Sequence, residues 1–202
     1  MPNETITTDA CFDLIEQHRT AIADLAAELT PDQWETPSLA EGWRVRDVVA
    51  HLTMIFSVSN PAFLVGLIRH RSMPRYMDHW ARHTAKASTD DLVARMRAGA
   101  KDRFTPPGAG PQGPLTDLVI HGLDIRLPLG LDVDIAPEAA RTTLGVLTSR
   151  RGRLFGVTGD PFTGRRLETT DLDWDHGTGP ATQATTIEMI LHLSRGTALP
   201  GS

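Results

Sequence analysis

The stretch "PLTDLVIHGLDIRLPLG", residues 114–130, sets the tightest limit on how this chain folds. Wound as an α-helix at ~100° per residue, it spreads Leu115, Leu118, Val119, Gly122, Leu123 and Ile125 over more than half of its circumference, and Ile120 widens that surface. Asp117, His121 and Asp124, spaced four and three apart, share the narrow remainder, within about 60° of one another. A polar stripe on an amphipathic helix ordinarily faces water. Turned inward, the same stripe offers a carboxylate and an imidazole that point the same way, and helical bundles build metal sites from such groups on facing helices. Spacing alone leaves both placements open.

One helix does not complete such a site, so the rest of the chain matters. A first helix is predicted from about Asp9 to Leu29, capped by Thr7 or Thr8 and ended at Thr30-Pro31. Cys11, Ile15, His18, Ile22, Leu25 and Leu29 share its inner face. "TPSLAEGW" is a turn. A second helix starts near Val45 and runs toward Pro61, with Val45, Val48, Val49, Leu52, Ile55 and Phe56 as its inner stripe and His51 at the edge. "AFLVGLI" and "YMDHWARH" are short helices with Met73-Pro74 between them. A third main helix follows Ser88 or Thr89, with Leu92, Val93, Met96 and Phe104 facing inward. "TPPGAGPQGP" is a Pro/Gly-rich loop, and the opening stretch is helix four.

After Gly130 the texture changes. "APEAARTTLGVLTSRRG" is a fifth helix, "RLFGVT" and "RRLETTDLDWDH" are short strands around a Gly/Pro/Asp turn, and "ATTIEMILHLSRG" is a final helix with a glycine stop. The expected organisation is mainly α: a helical domain over residues 1–130 and a small α+β domain over 131–202.

His51 is the best partner for helix four. Together, His51, Asp117 and His121 supply two nitrogens and one oxygen, a set that suits Zn2+ with one position left for water or substrate. Ni2+, Fe2+ or another divalent ion also fits that set. Asp124 can orient His121 or hold a thiol cofactor. Arg126 can bind a substrate carboxylate or cap the end of helix four. His18 can line a pocket or be buried for structure alone. The rival pair, His79 and His83, is also four apart, but its charged surroundings point to solvent. Cys11 is most simply a small core residue.

Composition narrows the function classes. With 202 residues, 40% apolar and 22% charged, the chain suits a globular fold. A net charge of −5 gives no footprint for nucleic acid. A single cysteine precludes an internal disulfide and makes a reducing cytoplasm the simplest compartment. The polar, acidic start does not read as a secretory signal, so none is expected, and the apolar run "PAFLVGLIRH" is too short for a membrane span.

Three segments carry a resemblance. "LTPDQWETPSLAEGWRVRDVVAHLT", residues 29–53, is similar to the N-terminal signature of the mycothiol-dependent maleylpyruvate isomerase family, within the DinB-like superfamily. "DLVIHGLDIRLPLG" resembles that family's second metal-binding segment, and "LETTDLDWDHGTGP" its small C-terminal domain. The resemblance implies a DinB-like four-helix bundle followed by a small α/β, sterol-carrier-like domain. It also implies metal ligands at His51, Asp117 and His121, with mycothiol as thiol cosubstrate for isomerisation or S-transfer on a small-molecule electrophile. Monomer or homodimer is expected, with no nucleic acid and no membrane as partner. A non-enzymatic, metal-containing binding or regulatory module is the alternative, and a fourth protein ligand would favour it. Three features depart from the pattern. Asp117 stands where the best-known members have Glu, Ala40 where many relatives have Cys, and Arg195-Gly196 reverses the usual Gly-Arg order, which bears on any substrate-binding role for Arg195.

Overall fold

The Thr7 hydroxyl accepts the backbone N–H of Ala10 (3.2 Å) and opens α1, Thr8–Glu28. This computed structural model describes residues 6–58, 60–105, 110–155, 157 and 164–199. Cys11, Ile15, Ile22, Ala23 and Ala26 are buried along α1. Arg19, rather than His18, is the charged residue sealed into that face, and His18 is half-buried beside it. Thr30 and Gln33 cap each other reciprocally at the start of the short α2, Pro31–Glu35.

α3 spans Val45–Leu52 and is buried on nearly every side. The buried Asp47 carboxylate accepts the backbone N–H and the guanidinium of Arg44 (both 2.9 Å), which fixes its first turn. The helix does not continue to Pro61. It stops at Thr53, whose hydroxyl turns back onto the Ala50 carbonyl (2.7 Å), and a separate short α4, Met54–Ser57, follows. α5, Asn60–His70, and α6, Met73–Thr84, form a pair on the flank. α7, Thr89–Ala98, is capped by Ser88 and buries Leu92, Val93 and Met96. Phe104 lies beyond its end and is only half-buried.

α8, Gln112–Arg126, is the helix of the opening stretch, and ten of its residues are buried. α1 packs on α7 and α8, and α3 packs on the same two, so the four close a ring around α8's apolar surface. α9, Pro137–Leu147, lies against α8. The stretch expected as a first strand, "RLFGVT", instead contains the end of a 3-10 helix, Arg150–Phe155, and residues 156 and 158 lie outside the described residues. Most of the expected Gly/Pro/Asp turn and residues 106–109 of the Pro/Gly-rich loop also lie outside them.

A three-stranded sheet follows in the order β2-β1-β3. β1 is Arg166–Thr169, β2 Asp175–Gly177 and β3 Ala181–Ala184. β2 pairs antiparallel to β1 with Leu167 opposite His176, and β3 runs parallel with Leu167 opposite Thr182. β3 takes up Ala181 to Gln183, to which the sequence reading assigns no element, and Ala184, read there as the start of the last helix. α10, Thr186–Arg195, starts from a reciprocal Thr185–Glu188 cap. One buried apolar cluster extends from Cys11 through Leu115 and Leu123 to Leu167, Met189 and Ile190, on both sides of residue 130. No helix among the described residues is long and apolar enough to cross a membrane.

Candidate metal centre

α3 and α8 face each other and bring His51 against Asp117 and His121. His51 Nε2 lies 3.5 Å from Asp117 Oδ2, and His121 Nε2 lies 3.5 Å from Asp117 Oδ1. The two imidazoles stand edge to face, 4.9 Å apart. One ligand atom from each of the three residues falls within 4.8 Å of the others, and among the described residues no other group of this kind exists. A separation of 3.5 Å is long for a hydrogen bond. It is close to the edge of a tetrahedron with bonds of about 2.1 Å, which is about 3.4 Å. The donor set and its spacing therefore fit a divalent ion. Both histidines are buried, while a third of the Asp117 side chain is exposed.

The two imidazoles are supported differently. His121 Nδ1 lies 2.7 Å from Asp124 Oδ2, and Asp124 is fully buried. An ionised Asp124 can only accept, so Nδ1 carries a hydrogen and Nε2, facing Asp117, is the nitrogen left to bind an ion in place of a proton. Arg195 holds Asp124 in turn, donating from Nε to Oδ1 (3.1 Å) and from Nη2 to Oδ2. His51 Nδ1, by contrast, is buried with no hydrogen-bond partner among the described residues.

The charges reinforce one another. Burial pushes the Asp117 carboxyl up, but His121, His51 and Arg195 around it hold it down at about 2. Burial pulls His121 down, yet the Asp117 and Asp124 carboxylates outweigh it and the net shift is upward. Asp124 is held below its ordinary value by His121 and Arg195 against the cost of burial. The cluster is thus built around positive charge at His121, which a metal ion can supply in place of a proton.

A cavity of about 760 Å³ opens beside His121, with Leu39, Ala40, Trp43, Leu191 and Arg195 in its wall. Trp43 was not singled out from sequence. Its ring lies 5.0 Å from His51 and 6.0 Å from His121, and its Nε1 donates to Asp78 Oδ1 (2.9 Å). The turn before α3 positions it. Ser38 N–H donates to the Trp43 carbonyl, Leu39 N–H donates to the Asp124 carbonyl (3.2 Å), and Gly42 takes the left-handed φ of +75° that the turn needs. With Ala40 in it, this wall carries no thiol.

Arg195 ends α10, and Gly196, at φ +70°, donates its N–H to the His192 carbonyl and turns the chain away. The Arg-Gly order thus leaves the arginine inside the helix, aimed at Asp124. His18 and Arg126 belong neither to the three-residue cluster nor to the cavity wall. Burial and the neighbouring Arg126 lower the His18 pKa, while Arg126 Nη1 donates to the Asp132 carbonyl just past α8. His79 and His83 are exposed. Cys11 is fully buried and burial pushes its thiol up to about 11, so it is no nucleophile. Arg19, also unforeseen, donates from Nη1 to the carbonyls of Gly99 (2.9 Å) and Asp102 (2.7 Å), closing the C-terminal end of α7. Its signal was present in sequence, since Arg19 falls four after Ile15 and three before Ile22 on the apolar stripe.

The fold and this cluster define a mainly helical protein with a small sheet and a His/Asp group compatible with a metal ion. Residues 15–105 match the family described as mycothiol maleylpyruvate isomerase N-terminal domain. Two crystal structures are similar over nearly the whole chain. The mycothiol-dependent maleylpyruvate isomerase has a TM-score of 0.62 at 13% identity, and a histidine-to-alanine mutant of that enzyme has 0.61 at 12%. Each comparison covers 96% of this chain and 91% of the other. No curated protein matches the sequence. The family match falls on the helical part of the chain, from within α1 to just past α7, and the similarity in fold extends over the remainder. Identities this low speak for a shared fold, and activity has to be argued from the site.

Proposed function

We propose that this protein is a metal-dependent enzyme that uses a low-molecular-weight thiol, mycothiol in the first instance, for isomerisation or S-transfer on a small electrophile. The observation that carries the reading is the convergence of His51, Asp117 and His121 beside a cavity of about 760 Å³. In this reading those three residues hold the ion, Zn2+ by the two-nitrogen, one-oxygen donor set, with Ni2+ or Fe2+ as other occupants. The ion would supply positive charge that lowers the pKa of an incoming thiol. Three protein ligands among the described residues leave a position for that thiol, and this favours an enzyme over a purely structural site.

The chain's own residues then have distinct tasks. Asp124 keeps His121 in the Nδ1–H tautomer, and Arg195 keeps Asp124 ionised and in place. Leu39, Trp43 and Leu191 present apolar surface that strips water from the reacting groups. An external thiol is needed because the only cysteine is the buried Cys11. In isomerisation, the thiolate forms a C–S bond to a conjugated carbon and the π electrons move onto the conjugated carbonyl. The resulting single bond rotates, and return of the electrons expels the thiolate. In S-transfer the C–S bond is kept and a proton is taken up at carbon. Neither route needs an oxidant. We read the ring of α1, α3, α7 and α8 as a DinB-like bundle, with residues 131–202 as a small sterol-carrier-like unit that contributes Arg195.

Thiol-dependent turnover should disappear when the protein is stripped with a chelator, and return on adding Zn2+. Turnover at full rate in metal-free protein would overturn the reading.

A further inference from the structure

The cavity beside His121 has an uneven charge inventory. Its lining includes one cationic side chain, Arg195, and two carboxylates, Glu41 and Asp78. Arg195 is not free to meet a ligand's carboxylate. Its Nε and Nη2 are both taken by Asp124, its Nη1 donates to the Ser194 carbonyl (3.3 Å), and only 24% of its side chain is exposed. Drawing it away would leave the fully buried Asp124 carboxylate with His121 Nδ1 as its remaining partner and without its guanidinium, which is the costly way to break a buried pair. Asp78 accepts from Trp43 Nε1 (2.9 Å) and from Arg82 Nε (2.8 Å). Glu41 is exposed at the wall, and among the described residues no ion pair reaches it.

We infer that the electrophile taken by this cavity is neutral or cationic, with N–H or O–H groups toward Glu41, and is not a dicarboxylate. The inference rests on the proposed thiol chemistry and names its substrate class. A dianion would find acceptor oxygens and an already engaged guanidinium where it needs donors. It would also meet like charge at Glu41, and field in a partly enclosed site is felt strongly. A thiolate already balances the single net positive charge that a dication and Asp117 leave. A second and third negative charge would have no counterpart in the wall. Maleylpyruvate carries two carboxylates, so this wall is poorly matched to it.

The test uses the whole, Zn2+-loaded protein and two electrophiles of the same carbon skeleton, maleamide (neutral diamide) and maleate (dianion), each with thiol and each corrected for its uncatalysed rate. The kcat/KM ratio of maleamide over maleate should exceed about tenfold. Glu41→Lys, at an exposed position, should lower that ratio by about tenfold with metal content unchanged. A preference for maleate, or a ratio indifferent to Glu41→Lys, would overturn the inference. If neither compound turns over, the proposed activity fails on its own account. The charge inference is then read from calorimetric titration with the saturated probes succinamide and succinate, where tighter binding of succinate overturns it and tighter binding of succinamide supports it.

Discussion

Two groups of histidines in this protein start from the same local geometry and end in opposite environments. On α8, His121 stands four residues after Asp117; on α6, His83 stands four after His79. Crowding does not separate them. The His79 and His83 rings are 6.0 Å apart, and His70 approaches His79 to 4.5 Å, nearer than the 4.9 Å between His51 and His121. Enclosure and acid do. His79 and His83 are exposed, and among the described residues no carboxylate joins them in a ligand group. His51 and His121 are buried, share Asp117, and have Asp124 and Arg195 behind one of them. Side chains four apart on a helix are neighbours by geometry alone. A binding site requires a second helix that limits where they can go and a fixed group that decides which nitrogen is presented.

The largest expected effect breaks this comparison outright if it fails. Removing one of three ligands leaves two, too few for a stable Zn2+ site. His121→Ala should therefore reduce the metal content of purified protein from about one ion per chain to almost none, measured by elemental analysis after dialysis. Retention of the ion by His121→Ala would take His121 out of the ligand set. Asp124→Asn comes next. The amide keeps the shape but removes the charge that fixes the His121 tautomer and pairs with Arg195. Orienting carboxylates of this sort are worth about 10–100-fold in metal affinity, and competition against a fluorescent chelator would read it. An affinity unchanged by Asp124→Asn would mean that His121 needs no partner, and the asymmetry with the unpartnered His51 Nδ1 would lose its meaning.

The residues show how far sequence carries such a comparison. Helix periodicity placed Asp117, His121 and Asp124 on one stripe, and these positions do lie together on α8. Periodicity could not say whether that stripe was wet, because the answer depends on α3 and the turn before it, some 65 residues upstream by sequence. His51 was found because it edges an apolar stripe. Trp43 was not, because a tryptophan in a turn has no periodicity to mark it. Arg195 was placed by the glycine stop of the last helix, but its engagement with Asp124 spans 71 positions and left no local trace. In the fold, the helices with clear caps were legible to within a residue or two. The α3–α4 break was not, since it turns on a single hydroxyl, that of Thr53, bonding back to Ala50. β3 was missed because "ATQA" has no strong strand former apart from Thr182, and its place beside β1 comes from pairing rather than propensity.

The smallest expected effect is the control that keeps the comparison fair. His79→Ala and His83→Ala remove exposed imidazoles from α6. The buried positions of that helix are Tyr76, Ala81 and Thr84, so neither substitution opens a cavity. Alanine is also the better helix former by a few tenths of a kcal/mol. Each variant should therefore unfold in urea within about 0.5 kcal/mol of the parent and keep its full complement of metal. The double variant should do the same, because a pair that holds no ion has no coupling to lose. If metal content falls in His83→Ala and survives in His121→Ala, the assignments of the two clusters exchange. Enclosure by a second helix and a buried orienting carboxylate would then no longer explain why one pair four residues apart became a site while the other stayed on the surface.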